Sequence, residues 1–144
     1  MVMGDRIITY TDYGRLMHML ERDIHDHIVR PDAMHRLYLI LKTSRKTEAE
    51  AIDAGTVTMN SKLLIRSLKN GICKQITLVY PDQIYDSESR EYNSIYDPLG
   101  LAVFGYRQND IINFYNNVRI EKPDDKFVIE SVLFQPESIQ LYHL

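Results

Sequence analysis

The chain has 144 residues, 44% of them hydrophobic and 26% charged, which is enough for one sizeable core and too little for two full-sized domains. A net charge of −3 and a pI near 5.9 argue against affinity for bare nucleic acid, which calls for a basic face. The single cysteine, Cys73, leaves no internal disulfide; with no signal-peptide run and no stretch of ~20 apolar residues, the expectation is a soluble, cytoplasmic protein.

From Thr11 onward, Tyr13, Leu16, Met17, Leu20, Ile24 and Ile28 recur at steps of three and four, which predicts an amphipathic helix with Thr11 or Asp12 as its N-cap. Pro31 ends that helix or opens the next, because proline fits the first turn but not the interior. Met34, Leu37, Tyr38 and Leu41 repeat the spacing, so a second helix is expected from about Asp32 into KTSRKTEAEAID. A short link between two amphipathic helices favours an antiparallel hairpin. The octet HDHIVRPD, residues 25–32, lies at its bend.

At Thr56 the period changes to two. TVTMNSKLLIRSL and ICKQITLVY, separated by Lys69-Asn70-Gly71, read as strand, turn and strand. DQIYDSESREYNSIYD reads as a loop or irregular edge strand. PLGLAVFGY reads as a short helix with Pro98 at its start and Gly105 past its end. DIINFYNNVRIEKPDDKFVIESVLFQP offers two or three more strands, broken at Asn116-Asn117 and at Pro123-Asp124-Asp125. The fold class is therefore α+β: a short antiparallel helical hairpin over residues 1–55, then a mostly β domain with one short helix over residues 56–144.

Catalytic chemistry finds little support. His25 and His27 are two apart, which on a helix splays them by roughly 200°, and a zinc site needs three or four converging ligands; no metal site is expected. No serine or cysteine stands in a nucleophile motif, and Cys73, in a strand, reads as a small buried hydrophobe. No glycine-rich phosphate loop occurs, so neither a cofactor nor nucleotide-driven catalysis is expected. Ten tyrosines would suit a base-stacking platform, but without a basic groove packing and partner contacts fit them better.

Several blocks then carry a resemblance. Val57-Thr58-Met59-Asn60-Ser61, Leu78-Val79-Tyr80-Pro81 and Pro98-Leu99-Gly100, in that order with VIESVLFQP at the close, resemble the C-terminal domain of the bacterial Gre transcript-cleavage factors and, more closely, their Rnk relatives, described as regulators of nucleoside diphosphate kinase. The resemblance implies an FKBP-like β domain that docks on RNA polymerase near its secondary channel. It also implies a coiled-coil arm pointing into that channel. By position, Tyr96, Asp97, Pro98 and Leu99 fall where Gre factors carry the polymerase-binding loop; Asp97 and Pro98 equally satisfy a helix N-cap followed by proline. Gre tips carry an aspartate with a glutamate three residues later, oxygen ligands suited to magnesium. Here the tip offers Asp23, Asp26 and Asp32 with no glutamate at that step from Asp23 or Asp26, on an arm expected to be only ~27 Å long. The Rnk group shares such a short arm.

The implied function is a monomeric polymerase-binding regulator that does not stimulate transcript cleavage and is not an enzyme, with no sequence-specific nucleic-acid or membrane partner. The rival is a true cleavage factor using the tip carboxylates. Proline isomerase activity is suggested by the FKBP-like fold alone, which is a weak warrant, and direct control of nucleoside diphosphate kinase rests on a family name.

Overall fold

A computed structural model describes residues 6–26, 30–83, 91–113 and 126–141. A short strand β1, Ile7–Thr9, runs directly into helix α1, Tyr10–His25. Helix α2, Pro31–Thr43, follows and leads into β2, Arg45–Thr47. β1 and β2 pair in parallel, Ile7 opposite Arg45. Parallel strands need a crossover connection, and the two helices are that crossover.

The cap of α1 is Thr9, whose side-chain oxygen accepts from the Asp12 amide at 3.0 Å. This corrects the expected Thr11 or Asp12 cap, and it frees the Asp12 carboxylate for another contact. The buried face also differs from the expected stripe. Asp12, Leu16, Met19, Leu20 and Asp23 point inward, whereas Ile24 is 65% exposed. Ile28 and His27 lie outside the described residues. Helix α2 stops at Thr43, earlier than expected, where the Ser44 hydroxyl donates to the Ile40 carbonyl at 2.6 Å. The Arg45–Thr47 segment after it pairs with β1 instead, and only a 3-10 turn, Ala49–Ala51, remains of the expected helical continuation.

The remainder forms a curled five-stranded sheet. Its strands are β3, Lys62–Ser67; β4, Cys73–Val79; β5, Tyr92–Ser94; β6, Ile111–Asn113; and β7, Lys126–Phe134, in the order β5-β4-β3-β7-β6. Every neighbouring pair is antiparallel except β4 and β5, which are parallel. Two register shifts between β3 and β7 mark irregularities of the kind that bend a sheet. The β3–β4 turn uses Gly71 at φ 74°, and the Asn70 side chain accepts from the Ile72 amide. Cys73 opens β4 on the exposed side of this turn, so the expected burial is not observed. Residues 56–60 precede the strand rather than belong to it, because Asn60 takes a positive φ. The expected breaks at 116–117 and 123–125 lie outside the described residues.

Helix α3, Pro98–Val103, packs against the sheet and the hairpin alike. Leu16, Leu20, Leu37 and Leu41 from the helices share one hydrophobic cluster with Met59, Leu63, Ile76, Leu78, Phe104 and Ile129. Arg6, buried beside β1, reinforces the union by donating to the Leu101 and Phe104 carbonyls at 2.6 and 3.0 Å. Its guanidinium also lies 4.5 Å from the Tyr106 ring centre. Within the described residues, then, the helical hairpin lies against the β part along its length.

Candidate functional site

The segment Ser94–Leu99 joins the edge strand β5 to α3. Its shape is set by a reciprocal turn: the Asp97 amide donates to the Ser94 carbonyl at 2.9 Å, and the Ser94 amide donates to Asp97 Oδ2 at 3.0 Å. The Tyr96 amide donates to Ser94 Oγ at 3.1 Å. Asp97 thus occupies the N-cap position of α3 while its carboxylate points back into the loop rather than onto the helix amides. Pro98 follows at the first helical turn, exposed, with Leu99 half-buried behind it. Gly100 is demanded by the close approach of the loop, since a Cβ there would lie 2.2 Å from the Ser94 carbonyl oxygen.

This loop meets the hairpin. Tyr96 is buried, and its phenol donates to Asp23 Oδ2 at 2.6 Å. Burial first, and the neighbouring Asp23 carboxylate second, raise the phenol's pKa. Arg22 Nε lies 3.5 Å from the other Asp23 oxygen. On the far side of the turn, Arg30 Nη1 stands 3.7 Å from Asp97 Oδ1, with both side chains substantially exposed. The expected tip residues therefore separate. Asp23 is 7% exposed and engaged by the loop, whereas Asp26, at the C-terminus of α1, and Asp32, in the first turn of α2, face solvent. Among the described residues no group of three or more His, Cys, Asp or Glu side chains is placed to hold a metal ion.

A second polar contact ties the start of α1 to the β part. Asp12 is fully buried, and its Oδ2 accepts from the Met59 amide at 3.1 Å. Its Oδ1 has no hydrogen-bond partner among the described residues. Next to it the Thr58 hydroxyl donates to Glu137 Oε1 at 2.7 Å and sits 2.9 Å from Ser61 Oγ. Burial, with a further push from the Glu137 charge against the Met59 amide and Arg15, moves the Asp12 carboxyl up to about 7.

Neither contact was visible in the sequence by itself. Asp23 and Tyr96 are 73 positions apart, and no local pattern joins them. The Thr9-to-Asp12 spacing does match the looser Ser/Thr-x-x-Asp/Glu signal of a helix start, and that signal would have placed the cap correctly, although the Asp12 carboxylate meets Met59 rather than the Thr9 amide.

Two helices packed on a curled, mostly antiparallel sheet are an architecture that this chain shares with a solved transcription elongation factor. The solved structure of a prokaryotic transcription elongation factor GreA/GreB from Nitrosomonas europaea matches with a TM-score of 0.68 and 26% identity, covering 90% of this chain and 99% of that one. Over 108 residues the chain is 31% identical to the regulator of nucleoside diphosphate kinase of Escherichia coli (strain K12), spanning 75% of this chain and 76% of that protein, and the Shigella flexneri counterpart matches equally. No family model matches the chain. The chain belongs to the family of these regulators of nucleoside diphosphate kinase, and it is a regulator of the transcription-elongation-factor kind. Among the described residues no helix is long and apolar enough to cross a membrane.

Proposed function

We propose that the protein is a monomeric regulator that binds RNA polymerase through the loop Tyr96, Asp97, Pro98 and Leu99, near the secondary channel, and that it does not stimulate transcript cleavage. The observation that carries this reading is the Tyr96–Asp23 hydrogen bond of 2.6 Å. A carboxylate that accepts from a phenol inside the fold is withheld from a metal ion in a partner's active site. Helix α1, at 16 residues, rises only about 24 Å, and its last turn is held beside the docking loop. The arm's end therefore has little freedom to extend away from the surface that docks. Pro98, exposed on α3, and Asp97, whose carboxylate is 39% exposed, offer a partner a rigid corner made of one apolar ring and one anionic group.

The test uses the full chain, because the two helices share their core with the sheet. Binding to core RNA polymerase is measured for the parent and for an Asp97→Arg, Pro98→Ala variant whose thermal unfolding is followed alongside. The variant is expected to bind at least tenfold more weakly while remaining folded, and the parent is expected to leave the rate of transcript cleavage in a backtracked complex unchanged. Equal binding by a folded variant would remove the docking assignment. Accelerated cleavage that depends on Asp26 or Asp32 would replace this reading with that of a true cleavage factor.

A further inference from the structure

Away from the docking loop, a cleft of about 230 Å³ opens beside the β1–β2 pair, lined among others by Arg45, Lys46, Thr47, Asp53, Thr56 and Arg107. Backbone hydrogen bonds tie together the segments that line it. The Arg45 amide donates to the Arg6 carbonyl, Ile7 to Gly105, Gly105 to Val57, Val57 to Tyr106 and Gln108 to Gly55. Thr56 and Arg107 also form an isolated antiparallel bridge. Two arginines from distant parts of the chain are thereby held on one rigid scaffold, the arrangement that keeps a binding site in register.

The charge in the cleft is largely uncompensated. Arg22, Arg30 and Arg66 each lie beside a carboxylate, and Arg6 is engaged by carbonyls. Among the described residues, the guanidinium groups of Arg45 and Arg107 enter no ion pair or hydrogen bond, and both residues are exposed. Lys46 contributes charge at the rim, but its ammonium donates to the Ser44 carbonyl at 3.0 Å and lies 4.8 Å from the Tyr13 ring centre. The one carboxylate in the lining, Asp53, is turned to its own loop, where Oδ1 accepts from the Gly55 amide at 2.8 Å. A chain with net charge −3 thus keeps two unpaired guanidinium forks in one concavity.

We propose that this cleft binds a phosphate or diphosphate group, held by Arg45 and Arg107. The guanidinium fork matches tetrahedral oxyanions with paired N–H donors. The volume decides the size of the ligand: it falls below the roughly 300 Å³ at which sites for whole drug-sized molecules begin, so the anionic group enters and any larger carrier stays outside.

The experiment is a titration of the isotopically labelled full chain at constant ionic strength, read by amide shifts. It has one arm with inorganic phosphate, one with pyrophosphate and one with a nucleoside 5′-diphosphate, against sodium chloride as blank. Saturating shifts confined to residues 45–47, 51–56 and 107 are expected, with apparent affinity at least tenfold weaker in both Arg45→Ala and Arg107→Ala and unchanged in Arg66→Ala. Saturation by pyrophosphate alone would identify a bare anion as the ligand. Tighter saturation by the nucleoside diphosphate would identify the same group on a carrier. Shifts that grow linearly without saturating, or that survive in the two folded variants, would overturn the site.

Discussion

Helix α1 carries two buried aspartates, one in each end turn, and they are treated differently. Asp23 receives a phenol hydrogen bond on one oxygen and an arginine beside the other. Asp12 receives one backbone amide, finds no partner for its second oxygen among the described residues and shares its surroundings with Glu137. A buried carboxylate is stable as an anion only where donors or cations replace its lost hydration. The lesson is that the two ends of one helix are tied to the β part by chemically distinct clasps, one that meets the carboxylate with a phenol and an arginine and one in which burial raises the carboxyl's pKa.

The largest effect expected from this contrast is in pH dependence. Because the Asp12 carboxyl moves from its ordinary 3.8 up to about 7, the folded protein keeps a proton there that the unfolded chain releases above pH about 4. Stability from this group is therefore present at acid pH and lost as pH rises from about 4 to about 7, by at most about 4 kcal/mol at 1.36 kcal/mol per tenfold. Asp12→Asn, which keeps an acceptor for the Met59 amide and carries no charge, is expected to flatten this slope and to exceed the parent in stability at pH 8. Urea unfolding of both chains at pH 5 and pH 8 checks it, and parallel slopes would place the proton elsewhere.

Tyr96→Phe comes next. It strips the phenol from Asp23 and is expected to cost about 2 kcal/mol, the range of a hydrogen bond to a charged group. A loss below about 0.5 kcal/mol in the same denaturation series, the range of an exposed pair, would mean that the phenol does not hold the end of α1. Smallest is Arg30→Ala. The Arg30–Asp97 pair is 3.7 Å long and its side chains are 54% and 39% exposed, so its removal is expected to change stability by less than ~0.5 kcal/mol. A larger shift of the unfolding midpoint would mean that this ion pair, rather than the buried phenol, closes the tip.

Much of the architecture was legible in advance because it rests on local periodicity and turn chemistry. The two helices, the Asn70-Gly71 hairpin and the Pro98-led helix follow from spacings within a few residues of one another. What escaped was non-local. The strand Arg45–Thr47 reads as the polar end of a helix until β1 is there to pair with it. Asp23 reads as a tip residue until Tyr96 is folded beneath it, and Ile24 reads as core until the helix face is chosen by Asp12, Met19 and Asp23. The loop Tyr96–Leu99 was marked by resemblance, but its attachment to the hairpin was not, since that depends on a contact across 73 positions.

By itself the sequence determined the two helices, the β3–β4 hairpin, the Pro98-led helix and the α+β class, because helix and strand periods and proline and glycine positions are properties of neighbouring residues, and the order of its sequence blocks carried the family resemblance. Only the tertiary structure decided that the hairpin lies against the sheet instead of standing apart, that Asp23 meets a phenol while burial raises the pKa of Asp12, and that Arg45 and Arg107 share a cleft. Burial and the partners that meet there set the free energy of a charged group, and a linear pattern contains neither.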